Sequence, residues 1–324
     1  MNGFADSLLT DDAKEFIEDW FSDKPYIIAH TSGSTGKPKE IHLLKSDMRA
    51  SAEATNRFFG IGGNSHLMLP LSPTYIAGKM MIVRAIITDC MITVEEPSNQ
   101  PLNRDYGKID LMAVVPSQCE ALVANGYAAA NLRNLIVGGA PLSASMENEL
   151  LKRPWKTYVT YGMTETCSHV ALRAVGSDVY RALPGITFEV DNRDCLIIKS
   201  TYFSFKNIAT NDIVELISPH EFRWCGRYDN VINSGGIKLY PEQLEAILHK
   251  HFSFPLMVRG IGHPLWGTTP QVVVERNPYI DEDCLRSEII NVCTHEFPQA
   301  ARHSDVVLVD SLPLTSNGKI RRKG

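Results

Sequence analysis

The sequence predicts an α/β protein, with a large domain built on a parallel sheet and carrying a β-rich section, followed by a small α+β domain. Three observations predict it. Short apolar runs alternate with helical patterns between residues 26 and 160. From Leu183 the runs become brief, strand-like and separated by turns. After Gly226-Arg227-Tyr228-Asp229 a fresh helix-and-strand pattern begins and continues to the end. Strands alternating with helices imply parallel pairing in a layered α/β architecture. The expected boundaries are 1–228 for the large domain, with 183–228 its β-rich part, and 229–324 for the small one.

Each element follows from a local pattern. Residues 11–21 place Phe16, Ile17, Trp20 and Phe21 on one side and acids on the other, as an amphipathic helix does. Residues 26–29 and 40–44 read as strands. Residues 46–59 read as a helix with Ser46 as candidate N-cap. The apolar run 67–71 ends in a proline turn, 76–87 is helical, and 90–94 is a strand. Residues 111–115, 135–137 and 157–160 read as buried strands, with helices over 117–125 and 143–152 between them. The β-rich part holds strands over 186–190, 196–199, 213–217 and 221–225. The small domain reads as helix 241–251, strands 256–261 and 271–275, helix 281–296 and strand 305–309.

Composition narrows the function classes. The 324 residues are 44% hydrophobic and 21% charged, which suits a soluble globular protein. A net charge of −5 argues against a nucleic-acid or anionic-membrane binder. Seven cysteines without a Cys-x-x-Cys pair point to reduced thiols, not to disulfides or zinc. The first residues lack a basic segment followed by an apolar one, so no signal peptide is expected. Lys79, Arg84 and Asp89 interrupt the apolar stretch 76–94, so no membrane span is expected. A cytoplasmic protein is the expectation, and a homo-oligomer is compatible with it.

Five segments carry chemistry. Thr31-Ser32-Gly33-Ser34-Thr35-Gly36-Lys37-Pro38-Lys39 follows a strand and combines hydroxyls, glycines and lysines. Such a loop can bring backbone N–H groups and positive charge to a triphosphate. It is not a Walker loop, because two residues rather than four separate its glycines. The same composition also suits a plain polar turn. Val137-Gly138-Gly139-Ala140-Pro141 leaves flat backbone at a strand's C-terminal end, where open α/β sheets bind ligands. Thr160-Tyr161-Gly162-Met163-Thr164-Glu165 offers an aromatic ring for a base, a hydroxyl for phosphate and a carboxylate for Mg²⁺, or alternatively a helix cap. Asp212 can accept from ribose hydroxyls and Arg227 can reach ribose or phosphate. Finally, Lys319 lies on a glycine turn near the chain end, where a frayed basic tail is the plainer reading.

Taken in order, residues 31–39, 161–165, Asp212, 226–245 and Lys319 resemble the adenylate-forming superfamily, which includes acyl-CoA synthetases. The resemblance runs from Tyr26 to Lys323. It implies an ATP-dependent acid–thiol ligase with Mg²⁺ as cofactor and ATP and coenzyme A as co-substrates. A carboxylic acid would become an acyl-AMP with release of pyrophosphate, then an acyl-CoA with release of AMP. The segments 161–169 and 227–238 resemble ligases that act on o-succinylbenzoate, a dicarboxylate of menaquinone biosynthesis. Two alternatives stand beside this: adenylation of another acid or for a carrier protein, and a non-catalytic nucleotide-binding module.

The resemblance also implies roles. Thr31, Ser32, Gly33, Ser34, Thr35, Gly36, Lys37 and Lys39 would cradle phosphates. Gly139, Ala140, Pro141, Tyr161 and Gly162 would flank adenine. Thr164 would touch the α-phosphate and Glu165 would bind the metal. Asp212 and Arg227 would hold ribose, and Lys319 would bridge the attacking carboxylate and the α-phosphate. Asp229 would be the hinge of a mobile small domain, and Gly235 and Gly236 would face the coenzyme A arm. Tyr75 takes the place of the family's histidine after Leu69-Pro70-Leu71. Lys79, Arg84 and His169 are the candidates for the acyl pocket.

Overall fold

The computed structural model describes residues 3–30, 40–102, 104–124, 131–276, 281–298, 305–313 and 322. In chain order the elements are α1 (Asp11–Phe21), β1 (Tyr26–His30), β2 (Glu40–Leu44), α2 (Lys45–Phe59), β3 (His66–Leu69), α3 (Ile76–Thr88) and β4 (Met91–Val94). Next come β5 (Leu111–Val114), α4 (Pro116–Ala124), β6 (Asn134–Val137), α5 (Ala144–Leu151), β7 (Lys156–Gly162), β8 (His169–Ala174) and β9 (Val179–Ala182). Then follow β10 (Ile186–Val190), β11 (Cys195–Ser200), β12 (Asn207–Ser218) and β13 (Glu221–Arg227). The last set is β14 (Ile232–Ser234), β15 (Ile237–Leu239), α6 (Pro241–His251), β16 (Leu256–His263), β17 (Gly267–Glu275), α7 (Glu282–Glu296) and β18 (Asp305–Val309).

The expected α/β class is observed. One sheet of 11 strands runs in the order β10-β11-β12-β13-β9-β8-β7-β6-β5-β3-β4. Its β4-β3-β5-β6-β7 half is parallel, and the remainder is antiparallel. The β-rich section is therefore a continuation of the parallel sheet. Strands β8 and β9, which no sequence pattern announced, make that continuation, because His169–Ala174 has four successive buried residues and shows no alternation.

Successive residues of the parallel strands point to opposite faces, and both faces are covered. Leu67, Leu69, Leu111, Ala113 and Ile136 join one core with residues of α1, α2 and α3. Met68, Met112, Val114, Leu135 and Val137 join a second core with residues of α4 and α5. This double burial makes these strands continuous apolar runs. The strand order reverses between β3 and β5, and such reversals open a crevice at the C-terminal strand ends.

Helices α1, α5 and α7 start on side-chain caps, whereas α2, α3 and α6 do not. Thr10, Ser143 and Asp281 accept from the backbone N–H three residues on. Ser46 is not a cap, because α2 begins one residue earlier, with Leu44 at the cap position. Tertiary bonds replace the cap there: Lys45 N–H donates to the Pro25 carbonyl at 2.9 Å, and its ammonium to the Ser22 carbonyl at 2.8 Å.

Beyond β13 the chain forms a second sheet, β15-β14-β17-β16 with β18 parallel to β17. Leu244 and Leu248 of α6 and Leu285 and Ile289 of α7 close a separate apolar core with Val258, Val272, Val274 and Val306. Among the described residues no helix is long and apolar enough to cross a membrane.

Candidate active site

The C-terminal ends of β6 and β7 lie side by side, with Val137 opposite Val159. The Thr160 hydroxyl donates to the Val137 carbonyl at 3.2 Å and locks the two ends together. After Val137 the chain leaves the sheet through Gly138 and Gly139. Gly139 has φ +88°, a left-handed conformation that favours glycine. Gly139 and Pro141 are exposed and Ala140 is half-buried, so this backbone edge is open to a flat ligand.

Asp212 and Arg227 face each other across β12 and β13. The buried Asp212 carboxylate accepts from the Tyr161 hydroxyl at 2.8 Å, from the Trp224 indole at 3.3 Å and from the Arg227 guanidinium at 3.3 Å. Burial, then the Asp212 charge, pushes the Tyr161 phenol well above its usual range, so it remains a donor. The Tyr161 ring packs edge-on against Phe222 and Tyr180. This arrangement joins Tyr161 and Asp212, expected to serve one nucleotide, 51 residues apart in sequence. Trp224 is a further donor that carried no local signal.

Between β7 and β8 the chain makes a tight loop. A Cβ on Gly162 would lie 2.3 Å from the Ser168 carbonyl oxygen and 2.5 Å from the His169 Cα, so only glycine fits. Thr164–Thr166 is a single 3₁₀ turn. The Thr166 hydroxyl accepts from the Met163 N–H at 3.0 Å and fixes the turn. Thr164 is half-buried and Glu165 is exposed, so both can meet a ligand at the sheet edge. Among the described residues no three His, Cys, Asp or Glu side chains converge on a metal. Glu165 alone fits an ion that arrives with substrate phosphates, as Mg²⁺ usually does.

Behind this loop lies a buried cation. Arg84 on α3 is 2% exposed, and its Nη2 donates to the Ser168 hydroxyl at 2.6 Å. Its Nε has no hydrogen-bond partner, and no carboxylate pairs with it among the described residues. Burial pulls its pKa down to about 9. His169 is also buried: Nδ1 lies 3.2 Å from the Ser168 hydroxyl and Nε2 3.2 Å from that of Thr55. Burial, then the nearby Arg84 charge, holds this imidazole well below its usual pKa, hence neutral. Arg84 and His169, both expected near the acyl group, thus share one cluster through Ser168. Ser168 and Thr55 escaped the sequence reading because a lone hydroxyl has no pattern.

The other acyl candidates are placed elsewhere. Lys79, five positions before Arg84 on α3, looks the other way. Its ammonium lies over the Phe16 ring of α1, 4.7 Å from the centroid. Tyr75, at the N-cap of α3, is exposed.

Asp229 follows β13 and accepts from Arg227 Nη2 at 3.2 Å and Asn211 Nδ2 at 3.3 Å. Gly235 and Gly236 form the exposed turn between β14 and β15, and Gly235 packs against the Trp266 ring. The expected phosphate loop (Thr31, Ser32, Gly33, Ser34, Thr35, Gly36, Lys37, Lys39) and Lys319 lie outside the described residues.

Comparison with known proteins gives concordant matches. Residues 5–199 match the family described as AMP-binding enzyme, and residues 256–319 match the AMP-binding enzyme C-terminal domain. The chain is 26% identical over 337 residues to the 2-succinylbenzoate–CoA ligase of Listeria monocytogenes, covering 95% of this chain and 71% of that protein. It is 25% identical over 363 residues to the enzyme of that name from Lactococcus lactis, covering 99% and 78%. An acyl-CoA synthetase (AMP-forming)/AMP-acid ligase II-like protein from Dyadobacter fermentans has a solved structure with 31% identity and TM-score 0.65, covering 95% of this chain and 91% of that one. The o-succinylbenzoate CoA synthetase of Bacillus subtilis, in complex with its acyl-adenylate intermediate, shares the fold with TM-score 0.77 at 18% identity, covering 91% and 67%.

Proposed function

The chain belongs to the AMP-binding enzyme family, and on that premise we propose that it is an AMP-forming acid–CoA ligase whose acid is o-succinylbenzoate. The observation that carries the substrate assignment is Arg84. A fully buried guanidinium without a carboxylate is costly to keep. It becomes intelligible if the counter-charge arrives with the substrate. Its partner Ser168 belongs to the same loop as Thr164 and Glu165. A dicarboxylate could thus set one carboxylate on Arg84 and direct the other toward the nucleotide.

The chemistry is a charge problem. An anionic carboxylate must reach the α-phosphorus of a polyanion, so positive charge and dipoles must be in place beforehand. Mg²⁺ supplies part of that charge when it accompanies ATP, and Glu165 would hold it. The 31–39 loop would cradle the outer phosphates, with Thr164 at the α-phosphate. Asp212 would exchange its bond to Tyr161 for the ribose hydroxyls, with Arg227 beside it. The Gly139-Ala140-Pro141 edge would flank adenine. Lys319 would bridge the two reacting anions. We place the domain boundary at Asp229, about which the small domain would turn to bring Gly235 and Gly236 toward the coenzyme A thiol, the pattern of many closure motions.

A carboxylate panel assayed for AMP release with ATP, with and without coenzyme A, tests this. The expected result is CoA-dependent AMP release, highest for o-succinylbenzoate. Pyrophosphate exchange without any acyl-CoA would point to a carrier-protein acceptor. No exchange with any acid would overturn the reading.

A further inference from the structure

Arg322 is held by two acids of α6, the buried Glu245 and the half-buried Glu242. Its guanidinium forms a bidentate pair with Glu245: Nη1 binds Oε1, and Nη2 donates to Oε2 at 2.7 Å. Nη1 also donates to the Val258 carbonyl at 3.1 Å. Its Nε lies 3.5 Å from Glu242 Oε1. The side chains of Arg322, Glu242 and Glu245 are only 13%, 10% and 11% exposed.

The two acids are three positions apart on α6, so they share a face, and side by side they would repel each other without a cation. Each makes a second contact. Glu245 Oε1 accepts from the Val258 N–H at 2.6 Å, which ties the clamp to β16. Glu242 Oε1 accepts from Asn230 Nδ2 at 2.6 Å, one residue beyond Asp229. A Cβ on Gly226 would lie 2.6 Å from Glu242 Oε2, so β13 also closes tightly on this acid. One face of α6 thus grips the segment after β13 with one acid and the chain end with both.

We propose that Arg322 is a positioning residue for the adenylation half-reaction. It pins the chain end to α6, so that Lys319 travels with the same rigid unit as the segment following Asp229. This rests on the reading of Lys319 as the adenylating lysine. Three residues span at most about 11 Å, so covalent reach alone limits how far residue 319 can stray from a fixed Arg322. Without the clamp the lysine would sample a much larger volume, and a misplacement of about 1 Å can cost about 100-fold in rate.

The test compares Arg322→Gln, Arg322→Lys, Glu245→Gln and Lys319→Ala in the full chain. Three quantities are measured: pyrophosphate exchange with o-succinylbenzoate and ATP, thiolysis of pre-made acyl-adenylate by coenzyme A, and thermal unfolding. Arg322→Gln and Glu245→Gln should lower exchange by about 10- to 100-fold while thiolysis stays near the parent rate. Arg322→Lys, which keeps the charge and loses the fork, should recover part of the exchange. Loss in Lys319→Ala with parent-level exchange in Arg322→Gln would overturn the clamp alone. So would parallel loss of both half-reactions, tracking a fall in melting temperature across the three clamp variants. Parent-level exchange in Lys319→Ala would overturn the reading of the lysine and the clamp with it.

Discussion

Replacing Arg84 with methionine should separate stability from function in opposite directions. The guanidinium is fully buried, and burial brings its pKa down to about 9 from the usual arginine range. At about 1.4 kcal/mol per pKa unit, carrying that charge in the folded chain costs on the order of 5 kcal/mol. The bond to Ser168 offsets part of this. Methionine fills similar volume without charge, and exchanging buried charge for apolar side chains is often neutral or stabilising by about 1–4 kcal/mol. The ligand-free variant should therefore melt at or above the parent temperature. Its acid recognition should suffer. A hydrogen bond between charged groups is worth about 1.5–3 kcal/mol, so KM for o-succinylbenzoate should rise about 10- to 150-fold. KM for an aryl monocarboxylate should barely move. Differential scanning calorimetry without ligands and steady-state kinetics with both acids measure the two effects. A drop of several degrees with KM unchanged for both acids would refute the argument and make Arg84 a structural group.

Two further outcomes follow from the same site. His169 is held neutral by burial and by Arg84, below the usual imidazole value of 6.5. The unfolded chain takes up a proton there and the folded chain does not, so stability is lost as pH falls below about 6.5, by up to about 1.4 kcal/mol per pH unit. Urea unfolding at pH 7 and pH 5.5 should show a shallower loss for His169→Gln, and identical slopes would sink the assignment. Asp212→Asn removes the charge that would bind ribose and should weaken AMP binding about 10- to 150-fold in titration calorimetry. An unchanged Kd would place the nucleotide elsewhere.

Much of this was readable from spacing. The Gly138-Gly139 exit from β6 and the Thr164-Glu165 turn after β7 are local features, set by a strand end and the few residues that follow it. The parallel strands declared themselves as apolar runs because both of their faces are covered. The hairpin β8-β9 did not, since its entry turn reads equally well as a helix cap and His169–Ala174 shows no alternation. Helix α3 showed two cations, Lys79 and Arg84, without saying which would be drawn inward. Only the packing of α1 over one face and of the β7–β8 loop over the other set Lys79 on Phe16 and Arg84 on Ser168.

By itself the sequence determined the fold class, the family resemblance and the short motifs, because these depend on residues that are neighbours along the chain. The tertiary structure decided which charges are buried and which acids hold which cations. The pairs Tyr161–Asp212, Arg84–Ser168 and Arg322–Glu245 lie 51, 84 and 77 residues apart. No periodicity encodes such contacts. They exist because closing long loops around shared cores brings these groups within bonding distance, and burial there magnifies the energetic consequence of each charge.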